Sequence, residues 1–149
     1  MFEKLKDASR YGEELVKAEK NAVDDVDELK EKVPKKIGVY LWRSKKDGQI
    51  VYIGRALGKE GLNQRIIHQH LNESYYNCKK GQEKSIFRKR VAAKNGNLEP
   101  DKVVPFIKEN YTLSFKESPN EDKLLAAFVE KLLQFELKPK YSPLIPDTK

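Results

Sequence analysis

Apolar residues recur every three or four positions through the first part of the chain, at Leu15, Ala18, Ala22, Val26 and Leu29. This spacing lines them up along one side of an α-helix. Residues 2–31 also contain no proline and are rich in Glu, Lys, Asp and Ala. We therefore predict one or two helices here, interrupted near residues 11–12, that most simply pad the rest of the protein; dimerisation and contact with a substrate are the alternatives.

After Pro34 the pattern changes to that of strands. Residues 37–43 and 49–55 are dense in β-branched and aromatic side chains, and the Asp-Gly pair at 47–48 between them favours a tight turn. These two segments predict a β-hairpin. The alternating stretch 111–116 predicts a third strand.

Helical spacing returns in three later segments, at 62–71, at 85–94 and at 121–136, where Asn120 can cap the long last helix. The polar residues 72–84 predict a loop. Helices are thus inserted between strands that are too few for a doubly wound sheet. This order predicts an α/β fold, with a small three-stranded, mostly antiparallel sheet flanked by helices.

Charge divides the chain at the same place as the pattern does. Residues 1–32, the predicted N-terminal helical extension, carry 7 Lys and Arg against 10 Asp and Glu. Residues 33–149, the predicted α/β domain, carry 23 against 13. The basic domain favours a polyanionic partner, although Lys-rich surfaces often serve only solubility.

The single cysteine, Cys78, excludes an internal disulfide and any cysteine-based zinc site within one chain, and it fits a reducing compartment. The N-terminus lacks the apolar run of a signal peptide, and no stretch approaches the roughly 18 apolar residues of a membrane span. We therefore expect a soluble, cytoplasmic protein with no membrane partner.

Each strand of the predicted hairpin carries a tyrosine close to a glycine: Tyr40 follows Gly38-Val39, and Tyr52 precedes Ile53-Gly54. Strand tyrosines are mostly half-buried packing residues. Glycine, however, weakens a strand and often marks a place where another backbone or a ligand comes close. The two phenols are therefore candidates for a site on one face of the hairpin.

The helix after the hairpin offers Arg65, His68 and Gln69, which share a helical face, whereas His70 points elsewhere. An arginine in a basic protein is ordinarily a solvated charge. The long last helix offers two carboxylates near its apolar side, at positions 130 and 136. Helical spacing alone does not choose between them.

Together these features resemble the GIY-YIG endonucleases, a family that includes homing and restriction enzymes and the incision domain of a nucleotide-excision repair subunit. The matching residues are GVY at 38–40, YIG at 52–54, Arg65, and a late helix that ends in KPKY at 138–141. The resemblance covers about residues 34–145 and leaves the N-terminal helices outside it.

The resemblance implies a metal centre. The family's spacing between its glutamate and the later proline, here Pro139, selects Glu130 over Glu136. Glu130 would then ligate one divalent cation, Mg²⁺ (or Mn²⁺), that keeps several of its waters. Arg65 would contact the scissile phosphate as a fixed positive charge. No organic cofactor is implied.

The resemblance also implies that Tyr40 or Tyr52 is the general base or positions the attacking water, with nearby positive charge favouring the phenolate. Two positions depart from the family pattern. Gln69 stands where some members have a histidine, which makes the neighbouring His68 a candidate substitute. Ser142 stands where members often have an asparagine.

The basic helix at 85–94 predicts a surface that binds the DNA backbone by releasing counterions, without reading sequence. A merely solvated face is the alternative. An arginine three residues beyond the second tyrosine is expected to touch phosphate as well. The candidate nucleic-acid-binding residues are Arg55, Lys84, Arg88, Lys89 and Arg90.

The sequence thus predicts a divalent-metal-dependent endonuclease that hydrolyses the phosphodiester bonds of DNA. The alternative is a DNA-binding module of the same fold with impaired or lost cleavage, and a protein-interaction domain unrelated to nucleic acid is a third reading. A single active centre cuts one strand at a time. Double-strand breaks would therefore need a homodimer, for which the helix at 12–31 is a candidate interface.

Overall fold

The computed structural model describes residues 1–73 and 85–142. Its helices are α1 (Glu3–Val16), α2 (Val26–Lys32), α3 (Gly61–Asn63), α4 (Ile86–Lys94), α5 (Pro100–Asn110) and α6 (Lys123–Leu137). A π-helix (Gln64–His70) continues directly from α3, and a 3-10 turn (Pro119–Glu121) precedes α6. The strands are β1 (Gly38–Ser44), β2 (Ile50–Ala56) and β3 (Tyr111–Glu117). Within these ranges, none of the helices has the length and apolar character that crossing a membrane requires.

The three strands form one antiparallel sheet in the order β2-β1-β3, so the first strand lies in the middle. The predicted α/β fold, with a small antiparallel sheet flanked by helices, is confirmed. Within the register, Tyr40 on β1 lies opposite Gly54 on β2 and Phe115 on β3. The alternation of side chains along β1 gives the sheet two buried faces.

Each face of the sheet has its own core. On one face Val39, Leu41 and Ile53 pack with α1 and α6. On the other face the aromatic side chains of Tyr40, Trp42 and Tyr52 pack beneath the π-helix and α4. The second face carries the two tyrosines of the candidate site, and α6 on the first face carries Glu130.

The first helix is part of this packing. The Tyr11 hydroxyl donates a hydrogen bond to the Lys116 carbonyl and accepts one from the Val39 amide at 3.3 Å. The predicted interruption near residues 11–12 is wrong, because Gly12 continues α1 and lets it approach Leu133 on α6, only 3.1 Å from where a Cβ would stand. The helix ends after Val16 instead, and α1 pads the sheet.

Two other helices differ from the sequence prediction. The apolar spacing predicts nothing at α5, because Pro100 and Pro105 both lie within its 11 residues; the first of them occupies an opening position that needs no amide hydrogen. The last helix begins after Asp122, whose carboxylate accepts from the Leu125 amide at 3.0 Å. Asn120, the predicted cap, lies in the 3-10 turn with a φ of 55°.

Candidate active site

Gly54, the glycine of the YIG segment at 52–54, makes room for Tyr40, the tyrosine of the GVY segment at 38–40. Tyr40 and Gly54 are register partners on neighbouring strands. A Cβ atom on Gly54 would lie 2.5 Å from Tyr40 Cζ and closer still to the hydroxyl oxygen. The Tyr40 ring therefore crosses β2 at the one residue without a side chain, and its centroid lies 6.2 Å from that of Tyr52. This is the close approach that a strand glycine predicts.

A buried histidine holds the Tyr40 hydroxyl. His70 Nε2 lies 2.6 Å from the Tyr40 oxygen, and His70 Nδ1 lies 2.6 Å from Ser85 Oγ. Ser85 in turn caps α4 by accepting from the Arg88 amide at 3.1 Å. All four side chains are buried, with exposed fractions of 1% or less. A continuous hydrogen-bonded chain thus runs from the phenol through the imidazole to a serine hydroxyl.

The prediction that His70 points elsewhere is wrong, and the π-helix is the reason. The Leu71 amide donates to the Ile66 carbonyl, five residues back, instead of the four of an α-helix. The wider turn brings the side chain of His70 under the sheet. His68, predicted to assist the base, is half-buried, and within the described ranges the hydrogen bond to Tyr40 comes from His70. The sequence around His68 and His70 contains no pattern that would show which of the two contacts Tyr40.

Glu130 reaches the same place from α6. Its side chain is 12% exposed, and Oε1 lies 3.2 Å from Arg55 Nη1 and 3.9 Å from Lys131 Nζ. Burial raises the pKa of the Glu130 carboxyl above its ordinary value, and the positive charges of Arg55, Lys131 and Arg65 oppose this shift. A carboxylate whose pKa is shifted by burial and by specific charged neighbours is a candidate functional group.

Arg65 supplies positive charge to the whole cluster. It lies in the π-helix, where its Nη1 donates to Gln69 Oε1 at 3.2 Å. Its charge lowers the pKa values of Tyr40, Tyr52 and Glu130. The structure therefore brings the two tyrosines, the arginine and the glutamate together from four separate elements.

The tyrosines differ in how readily they ionise. Burial is the main cause that raises the pKa of both phenols, and Tyr40 is shifted well above its usual value. The neighbouring Tyr52 raises the pKa of Tyr40 further, whereas the positive charges of Arg65 and Arg90 lower that of Tyr52. Burial, followed by the charges of Arg65 and Arg88, lowers the pKa of His70 well below its usual value. His70 is therefore neutral at physiological pH, so one of its two hydrogen-bonded ring nitrogens is an acceptor.

The predicted DNA-binding residues lie in different environments. Arg88 is completely buried, and its Nη1 donates to the carbonyls of Gln69 and Asn72 at 2.9 and 2.7 Å. The prediction that it lies on an exposed surface is wrong, because these two carbonyls at the end of the π-helix need a donor. Lys89 is exposed, as predicted, and Lys84 lies outside the described residues.

The other two predicted contacts lie beside the tyrosine cluster. Arg90 Nη1 donates to the Tyr141 carbonyl at 2.8 Å, and its charge lowers the pKa of Tyr52. The guanidinium of Arg55 is paired with Glu130. Ser142, which departs from the family pattern, accepts from the Ile53 amide at 2.9 Å and so ties the C-terminal segment to β2.

Comparisons with models of known protein families and with curated proteins found no match. The resemblance to the GIY-YIG endonucleases therefore remains a prediction.

The donor set fits a hard cation that keeps most of its water. In the ranges that the structure describes, no group of three or more His, Cys, Asp or Glu side chains converges as a metal site. A single carboxylate, that of Glu130, lies beside the phenols of Tyr40 and Tyr52. Mg²⁺ is commonly bound by one or two carboxylates together with substrate phosphates and waters, and Mn²⁺ accepts the same oxygen ligands.

Proposed function

We propose that this protein is a divalent-metal-dependent DNA endonuclease of the GIY-YIG type. The observation that carries the proposal is the convergence of four groups around β2, an edge strand of the sheet. The Tyr40–His70 pair, Tyr52 and Arg65 come from the face beneath the π-helix, and Glu130 comes from α6 on the other face, where it pairs with Arg55 of β2. Phosphodiester hydrolysis needs a group that accepts a proton from water, a fixed positive charge on the phosphate and neutralisation of the leaving oxygen. Each requirement has a candidate residue in this cluster.

Proton transfer is assigned to the Tyr40–His70 pair. The water attacks phosphorus and gives its proton to the Tyr40 oxygen, while the Tyr40 proton passes to His70 Nε2 across 2.6 Å. This exchange leaves an imidazolium and a neutral phenol, so the buried phenol never has to exist as a free phenolate. Burial is the main cause that lowers the pKa of His70, and the charge of Arg65 is the second; the negative phosphate beside Arg65 offsets this second cause.

The remaining charges act on the phosphate. Arg65 binds its non-bridging oxygens, and Arg55 and Lys89 contact the DNA backbone. A divalent cation held by Glu130 would supply positive charge to the phosphorane-like transition state and the leaving oxygen. Tyr52, whose ring centroid lies 6.2 Å from that of Tyr40, positions the water.

The test is cleavage of supercoiled, branched and single-stranded DNA with and without Mg²⁺. Glu130→Gln should abolish cutting, whereas Glu136→Gln, an exposed carboxylate on the same helix, should leave it unchanged. His70→Asn should lower kcat far more than His68→Asn does. Salt-sensitive binding without cleavage on every substrate would favour the DNA-binding module, and cleavage that survives Glu130→Gln would refute the assigned site.

A further inference from the structure

The carboxylate proposed to bind the metal already has a cation beside it. Arg55 Nη1 lies 3.2 Å from Glu130 Oε1, and Lys131 Nζ lies 3.9 Å from the same oxygen. Arg55 is the largest single influence that favours the ionised form of Glu130, mainly through its charge and to a smaller degree through a hydrogen bond from its backbone. A divalent cation at this oxygen would stand within a few ångströms of the guanidinium, where like charges repel. The metal and Arg55 therefore compete for one carboxylate.

Arg55 is placed so that it can leave. Its side chain is 40% exposed, and within the described ranges its guanidinium donates its hydrogen bond to Glu130. Two other arginines that form internal contacts, Arg88 and Arg43, are held differently. Arg88 is fully buried against two carbonyls, and Arg43 is 5% exposed and donates to Ser114 Oγ and the Val16 carbonyl. Moving Arg55 away from Glu130 exposes further a side chain that is already 40% exposed and that belongs to neither apolar core of the sheet.

We propose that Arg55 is a displaceable counter-ion for the metal site. It neutralises Glu130 in the free protein and gives way when a divalent cation binds, which leaves its guanidinium for a DNA phosphate. This inference rests on the proposed function for the identity of the phosphate, but the competition at Glu130 does not depend on catalysis. Because the exchange links two ligands, binding of the cation and binding of DNA strengthen each other by the same factor.

The competition is tested on the DNA-free, full-length protein by titrating Mn²⁺ and following the electron paramagnetic resonance signal of the free ion. The variants are Arg55→Gln, Lys131→Gln and Glu130→Gln, all compared at about pH 8, well above the ordinary pKa of a glutamate carboxyl, which is about 4.3. Lys131→Gln is the matched control, because it removes the same charge from the same oxygen at a longer distance and higher exposure.

Arg55→Gln should bind Mn²⁺ about tenfold more tightly than the wild type, Lys131→Gln should change the affinity less, and the double change Arg55→Gln/Glu130→Gln should lose the gain. Equal or weaker binding by Arg55→Gln, or a gain that survives loss of Glu130, overturns the proposal. A failure of the proposed function would give a different result. Arg55→Gln would still bind Mn²⁺ more tightly in a way that depends on Glu130, but the wild type would not cleave DNA.

The exchange with DNA has its own measurement. With Ca²⁺ in place of Mg²⁺, the affinity of the wild type for a short duplex should rise with the cation concentration. Arg55→Gln should lose most of this dependence, because it has no guanidinium to release. A dependence on Ca²⁺ that is the same in both proteins overturns the transfer of Arg55 to phosphate.

Discussion

Gly54→Ala tests whether the second glycine is there to admit Tyr40. A Cβ atom at this position would lie 2.5 Å from Tyr40 Cζ and 3.0 Å from Cε1, so the ring has to move. Because Tyr40 is 1% exposed, overpacking of this kind costs about 1–3 kcal/mol. A ring displaced from His70 also leaves buried polar groups unpaired, at a further cost of about 1–3 kcal/mol.

We therefore expect Gly54→Ala to lower the free energy of unfolding by about 2–6 kcal/mol. In an ordinary strand position the same change is stabilising, because alanine loses less backbone entropy than glycine. The sign of the effect thus reports the close contact itself. Cleavage of DNA should be lost as well, since the Tyr40 hydroxyl no longer meets His70.

Urea unfolding followed by circular dichroism measures the cost, and Gly58→Ala, which has nothing within 4 Å of the new Cβ, is the control. Tyr40→Leu removes the hydroxyl and Cζ with which the new methyl collides. The double variant should therefore cost less than the sum of the two single ones. A Gly54→Ala protein as stable as Gly58→Ala, or costs that simply add, would refute the reasoning.

Three further predictions concern buried ionisable side chains. Burial raises the pKa of Glu130, so its protonated form stabilises the fold at acid pH, and this contribution is lost as pH rises through the raised value. Glu130→Gln should therefore have a higher Tm than the wild type at neutral pH, and the difference in Tm between the two proteins should vanish near pH 4. Burial lowers the pKa of His70, so its contribution to stability is present above about pH 6.5 and is lost as pH falls. In His70→Gln, Tm should therefore fall less steeply with decreasing pH than in the wild type. An unchanged dependence of Tm on pH would contradict this prediction. Arg88→Gln should lower the free energy of unfolding in urea by about 2–5 kcal/mol, because the two carbonyls that accept from its buried guanidinium lose this donor. Lys89→Gln, the control, should not shift the urea midpoint. Equal effects of the two changes would show that Arg88 is not a structural residue.

Much of the fold follows from local pattern. β-Branched and aromatic residues around a tight turn predict the hairpin, and the glycines at 38 and 54 predict close approach at two places. Both predictions of close approach agree with the contacts: a Cβ on Gly38 would lie 2.7 Å from Leu62 Cδ1, and one on Gly54 would meet the Tyr40 ring. Glycine is informative here because it lacks the one atom that would prevent the contact.

What the pattern misses depends on partners far apart in the chain. Arg88 stands in a run of basic residues and has the composition of a solvated face, but two carbonyls 16 and 19 residues earlier require its guanidinium inside. The ion pair between Arg55 and Glu130 joins residues 75 positions apart. The residues next to Arg88 and Arg55 in the sequence do not reveal these distant partners, because hydropathy describes a side chain and not the group with which it forms a hydrogen bond.

The π-helix has a consequence for how the motif is counted. A π-helix pairs backbone groups five residues apart, whereas an α-helix pairs groups four residues apart. A side chain that lies one turn further along is therefore one residue later in a π-helix than in an α-helix. The resemblance places a histidine one α-helical turn after the arginine; here the chain spaces Arg65 and His70 five apart and absorbs the difference in the backbone. Gln69 occupies the position of that histidine when residues are counted, whereas the histidine that contacts Tyr40 in this structure, His70, comes one residue later.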